Sequence, residues 1–354
     1  MRSDSFLSLV KLGIGHKATH LNEKIDWLYI QTLAYQHGLS GIVLDGVDKL
    51  PEDKRPPKDI ALTWIGEVLH TYEYRYESYR RSISEMAGFY KEHAIKMMIL
   101  KGYACSLNWP KPEHRPCGDI DIWLFGKQKE ADSFISKEIR IKVDNSHHHH
   151  TVFNWGEFTV ENHYDFINVY HNKHNRELEM IFKELGKDDT HYVEVLGENI
   201  YVPAPNLHAL FLLRHMISDF VSTVVTLRQI LDWAFFVSAN HKYIDWAWLL
   251  NTLDRFGMLK IFMIINAICI EDLGFESTLF PSIQYDHSMK DKVFCEIVSP
   301  KYTAQLPTNV TERVLYKFSR WRASGWKHEL CFNESMLSSF LSGVRSHLIK
   351  PSTI

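Results

Sequence analysis

Residues 151 to 168, TVFNWGEFTVENHYDFIN, alternate apolar and polar side chains about a central glycine. A period of two with a glycine at its middle reads as a β-hairpin, because successive side chains on a strand point to opposite faces. On its second arm Phe158, Val160, Tyr164 and Phe166 take one face, and Thr159, Glu161, His163 and Asp165 take the other. Any fold for this chain must therefore contain a sheet. Upstream, MMIL is a short buried strand ending at Lys101-Gly102. A turn-rich passage with Pro110, Pro112, Pro116 and Gly118 follows it, and then IDIWLF forms another strand and KQKEADSFISKEI a helix.

The flanks have a different texture. Trp27, Leu28, Ile30, Leu33 and Ala34 recur at helical spacing, as does the stretch 60 to 90, and LPEDKRPPKD connects the two. From Asn206 to Phe275 the apolar runs LHALFLLRHMISDF, LRQILDWAFFV and IDWAWLLNTL are helical, with Pro205 and Asn206 suited to a helix start. LYKFSRWRASGW continues the pattern, and the tail SHLIKPSTI is expected to fray. The expectation is an α+β chain: an N-terminal helical region over 1–95, a small mixed sheet core over 96–200, and a C-terminal helical bundle over 201–354.

Composition narrows the function. A formal charge of −3 over 354 residues gives no general pull toward a polyanion, so duplex nucleic acid is not an expected partner. The five cysteines have no zinc-knuckle or redox spacing and read as reduced thiols. The N-terminal apolar run is too short and interrupted for a signal peptide, and Ile261 to Ile270, about ten residues, is half the length of a bilayer span. A cytoplasmic protein with no membrane insertion is expected.

The chemistry concentrates in LKGYACSLNWPKPEHRPCGDIDIWLF. Residues two apart on a strand lie ~6.6 Å apart on one face, so Asp119 and Asp121 project together while Ile120, Trp123 and Leu124 anchor the strand. Such a pair repels itself unless one group stays protonated or a cation sits between them. Hard oxygen donors select Mg²⁺ or Mn²⁺, the ions of in-line phosphoryl displacement. Taken alone, two aspartates at a strand start can equally be a solvated surface. Their neighbours Lys101-Gly102, Arg115, Gly118, Glu161 and His163 favour the chemical reading.

That set, a strand ending in Lys-Gly, a loop with Arg, Gly-Asp-Ile-Asp, and a hairpin carrying Glu-x-His, resembles the uncharacterised nucleotidyltransferase family of bacteria, within the polymerase-beta-like superfamily. The resemblance runs over roughly residues 20 to 260, including RHMISDF and LRQILDW. It implies a nucleotidyltransferase core in which Asp119 and Asp121 hold Mg²⁺ (or Mn²⁺) and Glu161 is the third carboxylate, all three catalytic. Gly102 matches the glycine of the phosphate-binding turn. The superfamily usually has a serine after it, whereas Tyr103 stands here, so Lys101 or Arg115 would supply the positive charge for an NTP such as ATP. Lys101, Gly102, Arg115 and Gly118 are thus the expected nucleotide-binding residues. Lys101 can also be a strand-end lysine reaching solvent, Arg115 can clamp an acidic neighbour, Glu161 can form a cross-strand pair, and Gly118 is expected to relieve crowding before the strand.

The implied reaction moves a nucleotidyl group to a hydroxyl of a small molecule, sugar or protein. The missing serine motivates an alternative, a catalytically silent binding or regulatory module of the same fold. Addition to a tRNA end shares the metal chemistry but needs a basic face.

Of His147 to His150, consecutive on a strand, at most two can share an ion, and a polar strand edge is the expectation. Arg214, His215, Asp219, Arg228 and Asp232 interrupt apolar helix faces, so either Arg228 or His215 pairs with an Asp between helices or these groups face the cleft. Trp109 and Trp123 are the aromatic residues near enough to the motif to stack a base, if they are not core.

Overall fold

The computed structural model describes residues 2–17, 21, 24–169, 173–282, 284–302 and 308–333; the expected frayed tail lies outside them. The centre is a mixed sheet of β1 (Met98–Ile99), β2 (Ile120–Trp123), β3 (His150–Trp155), β4 (Phe158–His163), β5 (Tyr192–Val195) and β6 (Glu198–Tyr201), in the order β3-β4-β2-β1-β6-β5. The two outer hairpins are antiparallel, as are β1 and β2, whereas β2 runs parallel to β4 and β1 parallel to β6. The α+β class expected from the sequence is the class observed.

Before the sheet come α1 (Arg2–Gly13), α2 (Trp27–His37), α3 (Ser40–Asp48), α4 (Lys58–Glu67) and α5 (Tyr74–Glu92). Within the sheet region lie α6 (Tyr103–Ser106), α7 (Gln128–Phe134) and α8 (Lys173–Leu185). After it come α9 (Pro205–Ser222), α10 (Leu227–Asn240), α11 (Trp246–Arg255), α12 (Leu259–Ala267), α13 (His287–Val298), α14 (Val310–Ala323) and α15 (Gly325–Phe332). Pro205 opens α9, as expected, and at the start of α10 the Thr226 amide donates to Gln229 Oε1 at 2.9 Å.

The pleat of β2 sorts the molecule into two cores. Ile120, Ile122 and Leu124 join Val160, Phe158 and Phe153 under α5, whose Tyr76, Tyr79, Ile83, Met86 and Tyr90 recur at helical spacing and are buried. Trp123, Met98 and Leu100 belong to the other core, which the helices before and after the sheet share: Phe6, Val43 and Trp64 pack with Leu210, Trp233 and Phe262. Asp121 lies on this second side, where α8 and α9 leave a cleft.

The hairpin reading needs one correction. β4 ends at His163, so Tyr164 and Phe166 do not continue its apolar face. The chain bends there, and Phe166 crosses to the opposite core against Trp123, Phe182 and Phe211. The hairpin β5–β6 was not anticipated; its turn places Leu196 and Gly197 at φ of 50° and 89°, the signs a type I′ turn requires.

Candidate functional site

The parallel pairing of β2 and β4 sets Asp121 beside Glu161 and Trp123 beside His163, and the antiparallel β3 sets His150 beside His163. Asp121, Glu161 and His163 therefore leave the same face of the sheet, with donor atoms all within 4.8 Å of one another. Asp119, just before β2, lines the same cleft. Of the three expected carboxylates, Asp121 and Glu161 come together, and Asp119 lines both adjoining cavities.

Lys101 reaches into this group. Its Nζ lies 2.7 Å from Asp121 Oδ1 and 3.0 Å from His215 Nε2, while His163 Nε2 lies 3.1 Å from the same Asp121 oxygen and 3.6 Å from Glu161 Oε2. Burial opposes ionisation of Asp121, but Lys101 and His163 outweigh it and hold its carboxyl well below the usual range. Burial likewise opposes the charge on Lys101, which Asp121 more than restores. Asp119 has no such partner: burial, then the charges of Asp121 and Glu161, raise its carboxyl above the ordinary value. Glu161 is desolvated too, yet the hydrogen bond from His163 leaves it lowered. His215, pushed down to about 3 by burial and by Lys101, is the neutral acceptor that the Lys101 contact needs.

Gly102 follows Lys101 with φ 51° and ψ −103°. A Cβ there would stand 2.4 Å from the Tyr79 hydroxyl, the group that donates to the Asp119 carbonyl at 2.9 Å. A residue without a side chain is what allows α5 to pin the backbone of Asp119.

Two cavities meet at Lys101, Asp119, His215 and Asp219. The larger, about 940 Å³, runs between the sheet and α9, α14 and α15, with Glu161 and His163 on one wall and Arg214, Phe318 and Trp321 opposite. The smaller, about 150 Å³, is bounded by Gly102, Gly118, Asp121 and Arg228. Burial lifts Asp219 to about 6. Arg228 has a buried Nε without a hydrogen-bond partner and makes no ion pair among the described residues.

Other expected residues sit differently. Arg115 is buried in a two-pronged pair with Asp232, Nε to Oδ1 at 2.8 Å and Nη2 to Oδ2 at 2.9 Å, which is the acidic clamp. The partner of Asp232 is thus Arg115, from the loop before β2, and no ion pair of Arg228 is formed among the described residues. His215 contacts an acid of its own helix, Asp219 at 3.7 Å, and none of another helix among the described residues. Gly118 relieves no crowding, since a Cβ there would meet nothing within 4 Å. Trp109 and Trp123 are core: their indole N–H groups donate to Asp232 and to the Gly186 carbonyl. The aromatic residues of the larger cleft include Phe318 and Trp321, which sequence reasoning did not single out.

The donor set fits a hard divalent cation. Asp121 and Glu161 bring carboxylate oxygens together, Asp119 lines the same cleft, and burial first, then the charges of Asp121 and Glu161, raise Asp119, a cost that a bound cation would offset.

Fold and cleft together define an α+β protein with an acidic cluster and a lysine at the junction of two cavities. The chain belongs to the family of uncharacterised nucleotidyltransferases, which matches residues 23–273. Among solved structures, an antigenic nucleotidyltransferase-like protein from Paracoccidioides brasiliensis is similar at 13% identity, covering 45% of this chain and 75% of that one with a TM-score of 0.33. No curated protein matches. Among the described residues no helix is long and apolar enough to cross a membrane.

Proposed function

We propose that this protein transfers a nucleotidyl group from a nucleoside triphosphate to a hydroxyl of an acceptor, with Mg²⁺ or Mn²⁺ held by Asp119, Asp121 and Glu161. The observation that carries this reading is the approach of Asp121 to Glu161 beside Lys101 and Asp119, which line both cavities. The bound cation supplies charge neutralisation for the phosphates and for the attacking oxygen. Lys101 and Arg228 face the smaller cavity and bind the triphosphate there, in place of the contacts that the superfamily's serine makes. Gly102 keeps the backbone low beside them.

The acceptor, a small molecule, sugar or protein side chain, enters the larger cleft. Its hydroxyl oxygen forms a bond to the α-phosphorus as the bond to pyrophosphate breaks, and Glu161, ionised and facing that cleft, takes the hydroxyl proton. The five free cysteines suit a reducing cytoplasm. Membership of the polymerase-beta-like superfamily is part of the same proposal.

The test incubates the protein, Mg²⁺ and α-labelled triphosphates with a cell extract. Label should pass to an acceptor with wild type and fall at least about a hundredfold with Asp121→Asn, in line with loss of a charge that acts on the transition state. Triphosphate binding without transfer supports the silent-module reading instead; no Mg²⁺-dependent binding at all overturns the proposal.

A further inference from the structure

Beside the acidic cluster lies a second group of donors with different chemistry. His149, just before β3, His150, its first residue, and His163, at the end of β4, bring one ligand atom each to within 4.8 Å of one another. Their rings are in mutual contact, with centroids 4.4 Å apart for His149 and His150, 5.5 Å for His149 and His163, and 5.3 Å for His150 and His163.

We propose that His149, His150 and His163 form a nitrogen-donor site for a borderline divalent transition ion of the Zn²⁺ type, adjoining the oxygen-donor site of the aspartates and meeting it at Glu161 and His163.

The Nδ1 atoms of both His149 and His150 are buried without a hydrogen-bond partner. A buried ring nitrogen left unpaired is costly in a protein interior, and a metal ion is a partner that these two rings can share with His163. Side chains that packed only as aromatic filler would not need their nitrogens to converge. The scaffold is held in place: the amides of Tyr164 and Asp165 both donate to the His149 carbonyl at 3.0 Å, and the Tyr164 hydroxyl donates to the His147 carbonyl at 2.8 Å. His163 places Nδ1 3.3 Å from the Asp165 carbonyl, the outer contact that orients a ligating imidazole, and an ion at Nε2 would replace its 3.1 Å contact with Asp121 Oδ1. Glu161 Oε2, 3.8 Å from His150 Nδ1 and 3.6 Å from His163 Nε2, can complete a four-ligand shell. Three imidazoles with a carboxylate select zinc, cobalt or iron over magnesium. The run His147 to His150 contributes two ligands, and the third comes from the next strand.

The test strips the full-length protein with a chelator and titrates it with Zn²⁺ by calorimetry and with Co²⁺ by visible absorption. Wild type should take up one ion with the absorption of a tetrahedral nitrogen-rich site. His163→Gln, which leaves the histidine run intact, should weaken binding by at least about tenfold, with circular dichroism checking that it folds. His147→Ala combined with His148→Ala should bind as wild type does. Asp119→Asn should do so too, which separates this site from the proposed Mg²⁺ site. Unchanged affinity in His163→Gln, or loss in the His147/His148 variant, would show that the run alone chelates and overturns the proposal. So does loss in Asp119→Asn, or wild type that binds no ion. If His163→Gln does not fold, X-ray absorption of the Zn²⁺-loaded wild type decides: about three histidine ligands support the site, and one or two reject it.

Discussion

Replacing Asp232 with alanine strips the partner from a buried guanidinium. In the folded protein the carboxylate accepts from Arg115 Nε at 2.8 Å, from Arg115 Nη2 at 2.9 Å and from the Trp109 indole N–H at 2.8 Å, and both members of the ion pair have side chains only 7% exposed. Breaking one side of such a pair costs about 3–5 kcal/mol because the remaining charge is stranded. The orphaned indole N–H alone would add about 1–3 kcal/mol. The two losses share one cavity and overlap, so roughly 4–5 kcal/mol is expected for Asp232→Ala, a large fraction of the ~5–15 kcal/mol that holds a typical domain together. Equilibrium urea unfolding followed by tryptophan fluorescence reads this directly. The double replacement Arg115→Met with Asp232→Leu should recover at least half of the loss, because two apolar groups leave no charge unpaired. A loss below about 1 kcal/mol in Asp232→Ala would refute the reasoning: Arg115 would then be loosely held and free to bind phosphate.

Further outcomes follow from the same geometry. Gly102→Ala forces a Cβ at φ 51° to within 2.4 Å of the Tyr79 hydroxyl and should destabilise by about 1–3 kcal/mol; adding Tyr79→Phe should return part of this, and a neutral Gly102→Ala in thermal unfolding would contradict the close approach. Arg228→Met should leave stability unchanged or raised, because burial opposes its charge and its buried Nε has no hydrogen-bond partner, yet lower triphosphate affinity in calorimetry; a clear loss of stability with unchanged affinity would remove Arg228 from the phosphate site. Burial lowers His208 to about 4, with the Arg115 charge also lowering it and Asp232 opposing. Its folded value lies below its unfolded value, so its contribution is present above pH ~6.5 and is lost as pH falls toward 4, at up to ~1.4 kcal/mol per pH unit. His208→Gln should flatten the pH dependence of the urea midpoint in that window, and an unchanged slope would exclude His208 as its source.

The fold was legible where local patterning and burial agree. Phe158 and Val160 alternate with Thr159 and Glu161, and the strand they imply is present in that register. The β5–β6 hairpin was not legible because Leu196, not Asn or Asp, takes the first positive-φ turn position and hides the usual signal. Phe166 misled for a related reason: alternation does not reveal where a strand stops, and the bend after His163 carries Phe166 into the other core. At the site, the two-residue spacing put Asp119 next to Asp121, and both line the smaller cavity, although Asp119 stands before β2 rather than on it; the hairpin showed which residues accompany Glu161. Pairings between distant segments were beyond local reading. Arg115 and Arg228 both suit Asp232 in charge, and only the packing of the loop before β2 against α10 decides that Arg115 takes it. The junction of His149 and His150 with His163 depends on the same long-range register.

The most direct test of the account is a calorimetric titration of a non-hydrolysable triphosphate in the presence and absence of Mg²⁺. It should be run on wild type and on the double variant Asp119→Ala, Asp121→Ala. The account predicts Mg²⁺-dependent binding to wild type that the double variant loses. Equal binding by both proteins would contradict it, because the acidic cluster would then have no part in holding the nucleotide.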